Sequence, residues 1–272
     1  MPPKQPFIKN LLKDLTPTFL RQILSPKKLN ILCIGTPKSG TTSIANLFSK
    51  DYRYEHEGER YPHVVRIFEH YSGKISDAEY QQHLKKRAHR LWLDIESNCF
   101  LGYRIDLVYK VFPNAKYILT IRDPFSWLNS IFDNNLNFPP NKGYTERLWH
   151  ECFFKPQQYK YSDEETILEN LKLYPIDAYL NYWVEANKTA LDAIPSSQLL
   201  ILYTSQISHN LNALSEFLEI KESSLNKERA KMNVTEKKHH VMDKLDHEYV
   251  RERIEEICGD FIRNYSLKSL MN

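Results

Sequence analysis

Glycine is scarce in this chain, with seven residues among 272. That rules out a collagen-like or glycine-rich linker organisation. It also means that two glycines close together mark a backbone that needs them. Cysteine is scarcer still: Cys33, Cys99, Cys152 and Cys258 stand far apart with no Cys-x-x-Cys pair. Neither a disulfide framework nor a zinc site is signalled, and reduced thiols in a cytoplasmic protein are the expectation. No apolar run reaches 18 residues, and Lys4, Lys9 and Lys13 interrupt the N-terminal apolar stretch, which predicts neither a membrane-spanning helix nor a secretory leader. An excess of one charge is missing as well. With 37 basic and 34 acidic residues, the net charge of +3 lacks the global field of a nucleic-acid binder, so neither nucleic acid nor membrane is expected as a partner. The densest basic run, Lys85, Lys86, Arg87, His89 and Arg90, reads as the solvated face of a helix.

What is present is 42% apolar content, enough for a sizeable core in a single domain over residues 1–272. Residues 1–28 read as an N-terminal extension with a short amphipathic helix, Phe7 to Ile23. Strands are expected at Leu29–Ile34, Tyr52–Glu57, Leu91–Glu96, Ala115–Ile121 and Leu199–Tyr203, with helices between them and at Leu211–Leu218 and His247–Asn264 beyond the last. Residues 138–165, rich in Pro, Tyr, Lys and Asn, read as a lid or substrate-wall loop carrying a short helix at Thr145–Phe153. Alternating strands and helices predict an α/β fold with a mainly parallel central sheet flanked by helices, ligands gathering at the C-terminal strand ends.

Two of the seven glycines, Gly35 and Gly40, bracket a turn at the end of the first apolar strand. A triphosphate-binding loop reads GxxxxGK[ST], its lysine following the second glycine. Here Thr41 occupies that place and the lysine is Lys38, inside the loop. Backbone N–H groups of the turn, with the Thr41, Thr42 and Ser43 hydroxyls, still make an anion site. A second anion grip is read at Arg122, which follows the strand AKYILTI, with Asp123-Pro124 starting a helix and Ser130 eight residues beyond the arginine. Two grips on one sheet edge imply a ligand with two separated anionic groups.

The pair GTPKSGTTS (Gly35 to Ser43) and RDPFSWLNS (Arg122 to Ser130) resembles the sulfotransferases that use 3′-phosphoadenosine 5′-phosphosulfate (PAPS). The resemblance runs from about residue 29 to 205 and includes LLILYTSQ with Tyr203, similar to the family's late strand. It implies a fold of the phosphate-loop nucleotide-binding type and a metal-free, in-line sulfuryl transfer from PAPS to a hydroxyl or amino group, leaving 3′-phosphoadenosine 5′-phosphate (PAP). Carried onto this chain, Lys38 would touch the transferring oxygens, and Ser39, Gly40, Thr41, Thr42 and Ser43 would cradle the 5′-phosphate. Arg122 and Ser130 would hold the 3′-phosphate, and Tyr203 would join the cofactor-binding set. The chain departs from cytosolic members in carrying Ser43 where many have an adenine-stacking tryptophan, and in lacking an RKGxxG segment. Lys237 and Lys238, in NVTEKKHH, are candidates for closing over the 3′-phosphate; an exposed charged loop is the other reading of that stretch.

The acceptor must lose a proton, so a base is expected near the transferred sulfur. Glu57 is the first candidate and His56 the second; Asp94 and Glu96, at the end of the third expected strand, are further contenders and candidate substrate-binding residues. Together with Glu55 and Glu59 they predict an acidic mouth, suited to a small polar or cationic acceptor; the resemblance to bacterial natural-product tailoring enzymes implies one such as a guanidinium alkaloid of the saxitoxin kind. The competing readings are a nucleotide or small-molecule kinase using ATP-Mg²⁺, with Asp123 as the metal ligand, and a glycan sulfotransferase. Nothing in the sequence specifies an oligomeric state.

Overall fold

The computed structural model describes residues 17–139, 142–231 and 237–267. The apolar runs become strands β1 (Ile31–Gly35), β2 (Tyr54–His56), β3 (Ile95–Ser97), β4 (Lys116–Ile121) and β5 (Leu199–Tyr203). Eleven α-helices accompany them among the described residues: α1 (Thr18–Leu24), α2 (Thr41–Leu47), α3 (Arg60–Tyr71), α4 (Asp77–Leu91), α5 (Ile105–Val111), α6 (Pro124–Asn137), α7 (Tyr144–Phe154), α8 (Thr166–Asn170), α9 (Ile176–Ala193), α10 (Leu211–Leu218) and α11 (His247–Asn264). Only α1 represents the expected N-terminal helix; the part of Phe7 to Ile23 before residue 17 lies outside the described residues. Among the described residues no helix is long and apolar enough to cross a membrane.

All strand pairings are parallel, in the order β2-β3-β1-β4-β5. The two central strands are apolar on both faces, as a covered parallel sheet requires. Leu32 and Ile34 of β1 join Tyr117, Leu119 and Ile121 of β4 in the larger core cluster, while Ile31, Cys33 and Ile118 enter the smaller cluster on the opposite face. Each fully buried aliphatic or aromatic side chain contributes about 1.5–3 kcal/mol through loss of hydrated apolar surface.

Register sets the position of the site. Gly35 lies opposite Thr120, Cys33 opposite Ser97, Ser97 opposite His56, and Ile121 opposite Tyr203. The C-terminal ends of all five strands therefore share one edge. The chain leaves β1 toward β2 and β3, then crosses to β4 and β5, so the crevice where connections diverge opens between β1 and β4.

Two expectations need correction. The third strand was expected at Leu91–Glu96 but begins only at Ile95, because α4 persists to Leu91 and ends on Trp92 in the left-handed conformation (φ 51°). The basic run of α4 is not wholly solvated, since Arg87 is buried and bonded to Glu96 Oε2 at 2.7 Å. The helix expected at Thr145–Phe153 is α7, which buries Leu148, Trp149, Cys152, Phe153 and Phe154 and packs against α3 and α9.

Candidate active site

The loop after β1 is held in shape by its neighbours. Gly35 (φ +150°) passes so close to Thr120 that a Cβ would strike its hydroxyl, and Gly40 (φ +105°) would place a Cβ 2.7 Å from Ile207 Cδ1. These are the positions where the sequence spends glycine, for want of any other residue that fits. The buried Ser39 hydroxyl donates to Thr36 O (2.6 Å) and meets Thr120 Oγ1 at 2.9 Å. Trp127 Nε1 on α6 donates to Pro37 O (2.7 Å), and Thr204 Oγ1, just after β5, donates to Ser39 O. Three neighbouring elements thus brace the loop. Lys38 itself adopts φ +68°, a conformation costly for a side-chain-bearing residue.

Arg122 follows β4 directly. Its Nε donates to Ser126 Oγ (3.0 Å) and its Nη1 to the Lys38 carbonyl (3.3 Å), while Trp183 Nε1 holds the Arg122 carbonyl at 3.0 Å. Asp123 does not pair with it: the Asp123 carboxylate caps α6, accepting from Ser126 N at 2.8 Å. Lys38 and Arg122 therefore face the crevice with no carboxylate within ion-pair distance among the described residues. Burial first, and the Arg122 charge second, hold the Lys38 ammonium below its usual pKa, with Asp133 and Glu57 opposing from farther away. Burial likewise lowers Arg122, against the pull of Asp123. Two partly dehydrated cations side by side destabilise each other unless an anion joins them.

The crevice has a volume of about 490 Å³. Lys38, Gly40, Thr41, Thr42, Ser43, Arg122, Ser130 and Lys238 line one part of it, and His56, Glu57, Arg60, Phe100 and Trp149 another. His56 Nε2 lies 3.1 Å from Thr42 Oγ1 and 3.3 Å from Thr41 Oγ1. Burial, only partly offset by Glu57, lowers its pKa, so near neutral pH the imidazole is uncharged. Glu57 adopts φ 53° and is anchored by its N–H to Ser97 O at 3.0 Å. Its Oε1 accepts from the Cys99 thiol at 3.1 Å, and its Oε2 lies 3.6 Å from Arg60 Nη1. Burial above all, and then the Glu57 charge, push the Cys99 thiol well up, which keeps it protonated as the donor.

Several residues expected at the site do different work. Ser39 turns its hydroxyl into the loop. Tyr203 packs half-buried against the core, and Thr204 lines the cleft from that strand end. Lys238 lines the cleft, whereas exposed Lys237 contributes its carbonyl to Asn137 Nδ2 (3.1 Å); Asn233 to Glu236 lie outside the described residues. Asp94 precedes β3 at the opposite edge of the sheet, bonded to Arg53 Nε (3.0 Å) and to the Lys28 N–H (2.6 Å). Glu96, in mid-strand, is buried against Arg87 and Asn98 Nδ2 (2.9 Å). Glu59 pairs with Arg90 at 2.8 Å. The expected acidic mouth is therefore absent from these positions: the late start of β3 moves Asp94 and Glu96 from the strand end, and arginines neutralise them.

Other cleft residues carried no signal in the sequence. Arg60 stands over the Phe100 ring at 5.4 Å and lies 3.6 Å from Glu146, a partner 86 positions away. Only its spacing of three from Glu57 on an emerging helix could have marked it. Asp133, which also lines the cleft, accepts from His239 N at 2.8 Å and so ties the C-terminal segment to α6.

A strand-loop-helix turn, a second cation just beyond the adjacent strand and a carboxylate across the crevice gather at one sheet edge. Residues 30–226 match the family model described as a sulfotransferase domain, and the chain belongs to that family. Among solved structures it is similar to a sulfotransferase from Alicyclobacillus acidocaldarius, at 13% identity over 90% of this chain and 96% of that one, with a TM-score of 0.49. It is also similar to a sulfotransferase from Mycobacterium avium, at 12% identity over 89% and 79% of the two chains, TM-score 0.49. A third is the sulfotransferase domain from the curacin biosynthetic pathway, at 12% identity over 86% and 97%, TM-score 0.41. A search of curated proteins finds no match.

Proposed function

We propose that this sulfotransferase moves a sulfuryl group from PAPS to a hydroxyl or amino group of a small-molecule acceptor. The observation that carries the donor reading is the facing pair Lys38 and Arg122, both partly dehydrated and both without a carboxylate partner among the described residues. A donor with phosphosulfate at one end and a 3′-phosphate at the other supplies anions for both. Thr41, Thr42, Ser43 and the loop N–H groups suit the 5′-phosphate; Arg122, Ser130 and Lys238 suit the 3′-phosphate. Glu57 lines the crevice opposite the loop, with Arg60 Nη1 3.6 Å from its Oε2.

In this reading the acceptor O–H or N–H gives its proton to Glu57 as its O or N bonds to sulfur, and the S–O bond to the 5′-phosphate breaks. Lys38 stabilises the charge that builds on the departing oxygen, and the braced loop supplies that stabilisation without reorganising. His56, uncharged, shares a hydrogen bond with the Thr42 hydroxyl and keeps the hydroxyls of α2 oriented. A kinase is disfavoured because Asp123 is committed to capping α6. Thermal shift tests the donor: PAP at a hundred times its dissociation constant should add about 2.7 kcal/mol. Stabilisation by ATP-Mg²⁺ and none by PAP would overturn the reading.

A further inference from the structure

A second cavity, of about 150 Å³, backs onto the cleft. Its walls include Tyr103, Phe153, Tyr182 and Leu119, and at Gly102 an added Cβ would meet nothing within 4 Å. An apolar cavity of about this volume admits one benzene ring. Phe153 and Tyr182 stack in parallel, centroids 5.4 Å apart and planes 5° apart, a surface shaped for another flat ring. The charges at the rim neutralise one another, Lys155 with Glu185 at 2.8 Å and Arg104 with Asp106 at 2.9 Å. The Tyr103 hydroxyl is bonded to His70 Nδ1 at 2.8 Å, whereas that of Tyr182 has no hydrogen-bond partner among the described residues. Apolar walls with one polar handle are the usual make-up of a small-molecule site.

Cys99 lines both cavities, and its thiol is the group that donates to Glu57 Oε1. The ring-sized pocket and the candidate base are thus one side chain apart. Building on the proposed sulfuryl transfer, we propose that this pocket holds an uncharged single-ring end of the acceptor. A hydroxyl on that ring, or one carbon from it, then replaces the Cys99 thiol as the donor to Glu57. Cys99 turns aside, the hydroxyl proton passes to Glu57, its oxygen bonds to sulfur, and PAP departs.

The test uses the full chain with 4-fluorobenzyl alcohol as probe and 1-propanol as the ringless comparison. Expected results are ¹⁹F line broadening of the probe by the protein, and turnover of labelled PAPS with a KM about tenfold or more below that for 1-propanol. Gly102→Leu should fill the pocket, abolish the broadening and raise the KM for the ring alcohol by a similar factor, while the PAP thermal shift persists and reports a folded donor site. Should Gly102→Leu fail to fold, Gly102→Ala, which adds one methyl to open space, should raise the KM in the same direction by a smaller factor. Broadening or KM unaffected by these variants overturns the proposal, as does preference for 1-propanol. A PAP shift without turnover of the ring alcohol also overturns it and leaves the donor reading intact. Loss of the PAP shift in the wild type removes the donor reading, while ¹⁹F broadening still reports the pocket by itself.

Discussion

Replacing Lys38 with methionine should weaken donor binding without weakening the fold. Lys38 is half-buried, has no ion pair among the described residues, and is crowded by Arg122. Methionine keeps most of the apolar stem and removes the charge. In the liganded protein the loss is one charge-assisted hydrogen bond, about 1.5–3 kcal/mol, or about 10- to 150-fold in PAP affinity. The rate of transfer should fall further, by about 10²–10³, if the ammonium meets the departing oxygen. In the free protein the substitution relieves burial of the ammonium and its repulsion from Arg122. Because solvent still reaches the side chain, the gain is small, about 0–1 kcal/mol.

A pH series makes the sign explicit. The folded-state pKa of Lys38 lies below its ordinary 10.5, so between the two values the unfolded chain binds more protons. Its contribution to stability therefore rises with pH across that window. Urea denaturation of the free wild type should show this increment, and Lys38→Met should lack it. Calorimetric titration with PAP supplies the affinity. A variant that binds PAP normally, or that loses more than about 1 kcal/mol of stability without ligand, would show that Lys38 is a structural residue.

Glu57→Gln should lower kcat about 10²–10⁴-fold while PAP affinity, measured by the same titration, stays at the wild-type level. His56 contributes in the acid range: its folded pKa is below 6.5, so its share of stability is lost as pH falls through the window beneath that value, and His56→Gln should flatten the acid limb of a denaturation series. Glu96→Gln should cost about 3–5 kcal/mol in urea, because it strands the buried Arg87 charge, yet leave acceptor KM unchanged in the folded fraction. Gly40→Ala should cost about 1–3 kcal/mol through its backbone conformation alone, with PAP affinity falling as the loop shifts away from Ile207.

Legibility followed the range of the interactions involved. Leu199–Tyr203, Leu211–Leu218 and His247–Asn264 could be read to the residue, since apolar periodicity and local caps such as Asp246, whose carboxylate accepts from Glu248 N at 2.8 Å, lie within a few positions of the element. The start of β3 could not. Whether Leu91 to Asp94 extends a helix or opens a strand depends on Arg53 and Lys28, which claim the Asp94 carboxylate from 41 and 66 positions away. The same error moved Asp94 and Glu96 into the imagined pocket, because an offset of a few residues along a strand exchanges one sheet edge for the other.

By itself the sequence determined the alternating α/β plan, the two-glycine loop with its displaced lysine, and the spacing of Arg122 and Ser130 across the start of α6. Each is written in residues close enough together to be constrained by local backbone geometry. Tertiary structure alone decided that Lys38 and Arg122 share a crevice with no carboxylate within ion-pair distance of either among the described residues, that Cys99 and Arg60 frame Glu57, and that arginines pair with Glu59, Asp94 and Glu96. Those outcomes rest on strand order, register and burial, which bring together groups tens of residues apart and set their charge states by what surrounds them.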